Sequence, residues 1–146
     1  MGWRAVTVHG IGEARAALAA ARAAGVGVDL LSAPGAGGFA GAGWWLALTR
    51  RARSDVAEVP GTDVLDCDDE AGFAVEALRA GCAAVVFTGP SAQAERLAAI
   101  ARSLGARLLR DRPPSLDLGR SSANRRLAAW LGATGGAPGD SGSGLL

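Results

Sequence analysis

Residues 69–88, Asp69-Glu-Ala-Gly-Phe-Ala-Val-Glu-Ala-Leu-Arg-Ala-Gly-Cys-Ala-Ala-Val-Val-Phe-Thr88, decide the fold. The first twelve are dominated by strong helix formers, and Gly81 stops the helix because a left-handed terminal residue is tolerated best without a Cβ. Cys82 to Thr88 then form a continuous apolar run, the pattern of a strand covered on both faces. The same grammar of Ala-rich helix, glycine stop, strand and polar end recurs at 13–32 and 92–110, with Gly25 and Gly105 as the stops.

Working outward, residues 4–9 read as a first strand closed by Gly10-Ile11-Gly12, and residues 62–66 as a further one. The strand ends fall at His9, Ser32, Asp66, Thr88 and Arg110–Asp111, with intervals of 23, 34, 22 and about 22 residues. One strand plus one helix accounts for the shorter intervals. The long one holds a Gly-rich stretch, Pro34 to Gly43, and then a helix from about Gly43 through Arg53 that carries Trp44 and Trp45. Strands alternating with helices of this length imply right-handed βαβ crossovers and a parallel sheet. The expected fold is therefore α/β, with repeated βα units and a mainly parallel five-stranded sheet, as an open three-layer sandwich or a half-barrel. Pro113-Pro114 interrupts the pattern, leaving Ser115-Leu116-Asp117-Leu118 as a short edge strand or a loop. Ser121-Ser122 with Asn124 is placed to cap a last helix ending near Leu131. Residues 1–132 are expected to make one domain, and the Gly, Ser, Pro and Ala of 133–146 a flexible tail.

Composition limits the function. Hydrophobic residues make up 49% and charged residues 20%, a globular balance. Fifteen basic against fourteen acidic residues leave a net charge of +1, which argues against nucleic acid or an anionic membrane as a partner held by bulk charge. No apolar run reaches the roughly 20 residues that span a bilayer, and the first residues lack a signal-peptide pattern, so a cytoplasmic location is expected. All fifteen basic residues are arginine. Without lysine there is no Schiff-base chemistry, no pyridoxal-phosphate anchor and no Walker-type phosphate lysine. One histidine and two cysteines supply too few ligands for a zinc site, and Cys67 and Cys82 read as free core thiols. No metal and no cofactor is implied.

Ligands of parallel sheets bind where the strand C-termini open, which brings His9, Ser32, Asp66, Asp68, Thr88 and Arg110 forward as site residues. Asp66-Cys67-Asp68-Asp69 is the densest acidic cluster. Asp66 is a candidate general acid or base, and His9 beside Gly10 is a second candidate base. The plainer reading of the cluster is that Asp66 ends a strand while Asp68 or Asp69 caps the next helix. Gly35-Ala-Gly-Gly-Phe-Ala40 fits a G-x-G-x-x-A pattern, so the amides of Gly37 and Gly38 are candidate anion ligands. Asp66 lies 31 residues past Gly35, beyond the usual interval of about 20 for a dinucleotide acid. Thr88-Gly89-Pro90-Ser91 offers a hydroxyl and a helix start as another anion nest, against the alternative of an ordinary turn.

The stretch Val64 to Gly89, an acidic strand end, a helix closing in Ala-Gly and a strand ending at Thr88-Gly89, resembles strand–helix–strand units of aldolase-type, phosphate-binding (βα) barrels. The resemblance implies a βα architecture and a phosphate site near Thr88-Gly89. The Schiff-base lysine and the metal-binding histidines of such families have no counterpart in this chain. Three functions stay open at this point: a module binding a small anionic or phosphorylated metabolite at the strand ends, a lyase- or isomerase-like enzyme using Asp66, and an interaction protein forming a homodimer through Trp44 or Trp45.

Overall fold

The computed structural model describes residues 2–132, so the expected flexible tail lies outside the described residues. Six parallel strands and six helices are present among them, with the strands in the order β5-β4-β3-β2-β1-β6 in an open sheet. The chain divides into two compact units.

The first unit draws on Met1–Leu31, Leu48–Thr62 and Pro114–Leu146. It contains β1 (Ala5–Thr7), α1 (Ile11–Ala24), β2 (Asp29–Leu31), the later part of α3 (Gly41–Asp55), β6 (Ser115–Asp117) and α6 (Ala123–Leu131). Helix α1 buries Ala14, Ala17, Leu18 and Ala21, a stripe with the helical period. Gly25, at φ 72, ends it and donates its N–H to Ala21 and Arg22 carbonyls. α1 packs against α6, whose Trp130 indole donates to Ala5 O at 2.9 Å while the Arg4 guanidinium lies 4.5 Å from the Trp130 ring centroid.

Residues 115–117, which the sequence left between strand and loop, form β6 and pair with β1, so the sheet has six strands rather than five. Buried Leu116 and Leu118 alternate with half-buried Ser115 and Asp117, a period of two too short to stand out beside Pro113-Pro114. The Ser115 and Thr7 hydroxyls bond at 2.7 Å across the pair.

The second unit draws on Ser32–Ala47 and Asp63–Pro113. Its strands are β3 (Asp63–Asp66), β4 (Ala84–Val86) and β5 (Arg107–Leu109), with the register Val64↔Ala84↔Arg107. Its helices are α2 (Ala36–Phe39), the start of α3, α4 (Ala71–Ala80) and α5 (Ser91–Ser103). α4 follows β3 and α5 follows β4, and the two helices pack on each other; α4 buries Ala74, Ala77 and Leu78, and α5 buries Ala94, Leu97 and Ala101. Trp45 is buried and Trp44 half-buried, their ring centroids 5.8 Å apart.

Local expectations are corrected at two places in this unit. The Gly-rich stretch contains α2, and α3 begins at Gly41 instead of Gly43. Neither Asp68 nor Asp69 caps α4, whose N-cap is Glu70 without a side-chain cap bond. Asp68 takes a left-handed conformation, φ 53, that turns the chain before α4. In the first unit the cap of α6 is Ser122, also left-handed, and its hydroxyl accepts from Arg125 instead of capping an amide.

Candidate functional site

Asp66 closes β3 and is almost fully buried, 3% exposed. Its Oδ1 accepts the amides of Asp68 at 2.8 Å and Gly35 at 3.2 Å, and its Oδ2 accepts Arg112 Nη1 at 2.8 Å. The same Arg112 nitrogen donates to Ser32 O at 3.0 Å. Ser32 in turn receives the Asp66 amide on its hydroxyl at 2.9 Å and donates that hydroxyl to Ala33 O. Both oxygens of Asp66 are therefore engaged, Oδ1 by two amides and Oδ2 by Arg112. The network ties together the end of β3, the turn into α2 and the segment after β5. Thr88 joins it at one remove, with its amide on Asp68 O at 2.8 Å and its hydroxyl 3.4 Å from Asp68 Oδ1.

The glycines chosen from the sequence as anion ligands are closely packed in the structure. A Cβ on Gly37 would lie 2.7 Å from Cys67 Sγ and 3.2 Å from Asp66 O, and one on Gly38 3.3 Å from the Phe73 ring. The Gly38 and Phe39 amides turn back to Gly35 O, and the Gly35 amide is held by Asp66.

His9 lies two residues past β1 in the first unit, exposed, with Nδ1 3.0 Å from Glu13 Oε1 and Nε2 3.5 Å from Asp117 Oδ1. The Glu13 carboxylate also accepts the His9 amide at 2.8 Å, so it fixes both ring and backbone at the start of α1. Asp66 and His9 thus belong to different units with different partners.

Arg110 has a third setting. It follows β5 at the surface, donates Nη2 to Gly89 O at 2.6 Å and lies 5.7 Å from the centroid of the buried Phe87 ring. No carboxylate of the described residues pairs with it. Arg110 borders an open groove of about 290 Å³ lined by Ser91, Ala94, Glu95, Ala98 and Leu108 as well. The groove is largely apolar and at the small end of ligand sites. Four of its residues are the i, i+3, i+4 and i+7 positions of one face of α5.

Sequence reasoning missed Arg112 and Glu95, and named Ser91 only as part of the Thr88–Ser91 turn. A signal existed for Arg112, because a strand-end aspartate with no helix to cap needs a donor, and Arg112 is anchored beside Pro113-Pro114. For Glu95 the signal was only the helical face it shares with Ser91.

Both cysteines are buried free thiols, as the sequence implied. Burial pushes the Cys67 thiol up to about 12, with Cys82 and Asp66 adding to the effect. An unfolded thiol ionises near 8.5. Stability from the protonated thiol is therefore complete below that value and declines as pH rises toward 12. Urea midpoints should fall between pH 7.5 and 10, and Cys67→Ala should reduce that fall. An unchanged pH slope in the variant would show that another group sets it.

No protein-family model matches the chain, and no curated protein matches it significantly. No group of three or more His, Cys, Asp or Glu among the described residues is placed to hold a metal ion. No helix among them is long and apolar enough to cross a membrane.

Proposed function

We propose that the chain is a binding module for a small anionic ligand, held in the groove between α5 and β5 with Arg110 as its anchor. The observation that carries this reading is a surface guanidinium beside an apolar groove, fixed through Gly89 and Phe87, with no carboxylate partner among the described residues. A guanidinium with one nitrogen spent on a carbonyl keeps further N–H donors for a carboxylate or phosphate. The groove opens where β5 ends and α5 begins, the side on which parallel sheets bind ligands. The resemblance of residues 64–89 to phosphate-binding strand–helix–strand units points to the same turn.

Phosphate and short carboxylates should raise the melting temperature in a saturable way, since a ligand bound only to the native state stabilises it by mass action. Arg110→Ala should weaken binding about tenfold, the loss of one charge-assisted hydrogen bond. Arg107→Ala removes the same charge from the start of β5 and should leave binding unchanged. Equal losses in the two variants would reduce the effect to net charge, and no response to any anion at millimolar concentration would overturn the reading.

A further inference from the structure

We infer that the ligand of this groove is zwitterionic, of the class of α-amino acids with a compact apolar side chain; this rests on the reading of Arg110 as the anion anchor. The groove contains one cation and one anion that do not neutralise each other. Glu95 lines the same space as Arg110, is exposed, and pairs neither with Arg110 nor with any other basic residue described. On α5 its neighbours one turn away are Ser91, Ala92, Ala98 and Ala99, and the adjacent Arg96 points about 100° away around the helix, so no cation of its own helix faces it. An uncompensated carboxylate in an anion site repels a ligand that is anionic only, and it attracts one that also carries an ammonium group.

The spacing along α5 orders the ligand. Ser91 opens the helix beside Arg110, Glu95 lies one turn on, about 6 Å along the axis, and Ala98 about 10 Å along. A carboxylate on Arg110 near Ser91, an ammonium on Glu95 and an aliphatic chain over Ala94, Ala98 and Leu108 fill this sequence in order. The alanine methyls leave room beside Leu108, and the volume of about 290 Å³ limits the ligand to a small molecule.

Three probes test this by calorimetry: leucine, isocaproate (leucine without its amino group) and isoamylamine (leucine without its carboxylate). Leucine should bind about fivefold more tightly than isocaproate, the effect of one exposed ion pair of about 1 kcal/mol. In Glu95→Gln that advantage should vanish while isocaproate binds as well as before or better. Isoamylamine should bind least, and Arg110→Ala should weaken leucine and isocaproate alike. If isocaproate equals or exceeds leucine in the unaltered protein, yet still depends on Arg110, the zwitterion is overturned and the anion site stands. If neither carboxylate binds but phosphate does, the result is the same. If leucine, isocaproate and phosphate all fail to bind, both readings fall. Amide chemical shifts of Ser91, Glu95 and Arg110 must move on leucine binding, and shifts confined elsewhere would also overturn the assignment.

Discussion

Replacing Asp66 with alanine is expected to destabilise the protein by about 3–5 kcal/mol, because the change strips three donors of one acceptor. The amides of Gly35 and Asp68 lose their bonds to Oδ1, and Arg112 loses its carboxylate. Asp66 is 3% exposed, so water cannot replace it without opening the network, although Arg112, with 27% of its side chain exposed, recovers part of its hydration. Asp66→Asn keeps an acceptor for the two amides but turns its NH2, a donor, toward Arg112, so it gives up the charge and the Arg112 bond and should cost less than Asp66→Ala only by what the two amides retain. Arg112→Ala and Asp66→Ala should couple, the double variant costing less than the two single changes added. Urea unfolding checks all four species. A cost below about 1 kcal/mol for Asp66→Ala would show the network to be dispensable and would return Asp66 to the candidates for acid–base chemistry.

The repeated helix–glycine–strand grammar placed β2, β4 and β5, because each unit carries its own punctuation, and the strand-like runs at 4–9 and 62–66 placed β1 and β3. Gly25 and Gly81 do adopt the left-handed conformation that the pattern required. β6 stayed open between edge strand and loop because its pairing is with β1, about 110 residues earlier, and a three-residue strand after two prolines carries too little local period to decide. The strand-end residues were legible as a set, but their partners were not. Asp66 looked like an available base in sequence, whereas the structure engages it through Arg112, 46 residues away. Gly37 looked like an anion ligand because glycine-rich turns often are. Its small size is also matched to Cys67 Sγ, a contact that spacing along the chain does not encode. Arg110 was legible as a charge at a strand end. The groove beside it depends on which face of α5 turns toward Leu108, and an alanine-rich helix leaves that face ambiguous.

Gly61→Ala should destabilise the first unit by about 3 kcal/mol or more, the combined effect of a disallowed backbone and an unrelieved overlap. Gly61 has φ 152, and a Cβ there would lie 1.8 Å from Val28 O and 2.7 Å from its carbonyl carbon. Both atoms are backbone, so no rotamer change clears the space. The surrounding segment has little freedom to withdraw. Val28 N donates to Pro60 O at 2.9 Å, Thr62 N to Asp29 Oδ1 at 2.8 Å, and the Arg53 guanidinium grips Val59 O at 2.8 Å and Val28 O at 3.0 Å. Moving residue 61 outward would break bonds on both sides of it and leave buried polar groups unpaired. Gly43→Ala is the matching control. It lies within α3 at an ordinary φ with no atom within 4 Å of the added carbon, so it should stabilise by up to about 1 kcal/mol through helix propensity. Thermal and urea unfolding of the two variants should move in opposite directions. A Gly61→Ala protein as stable as the unaltered chain would mean that residues 59–62 shift away from Val28 without loss, and that the Arg53 clamp does not hold them.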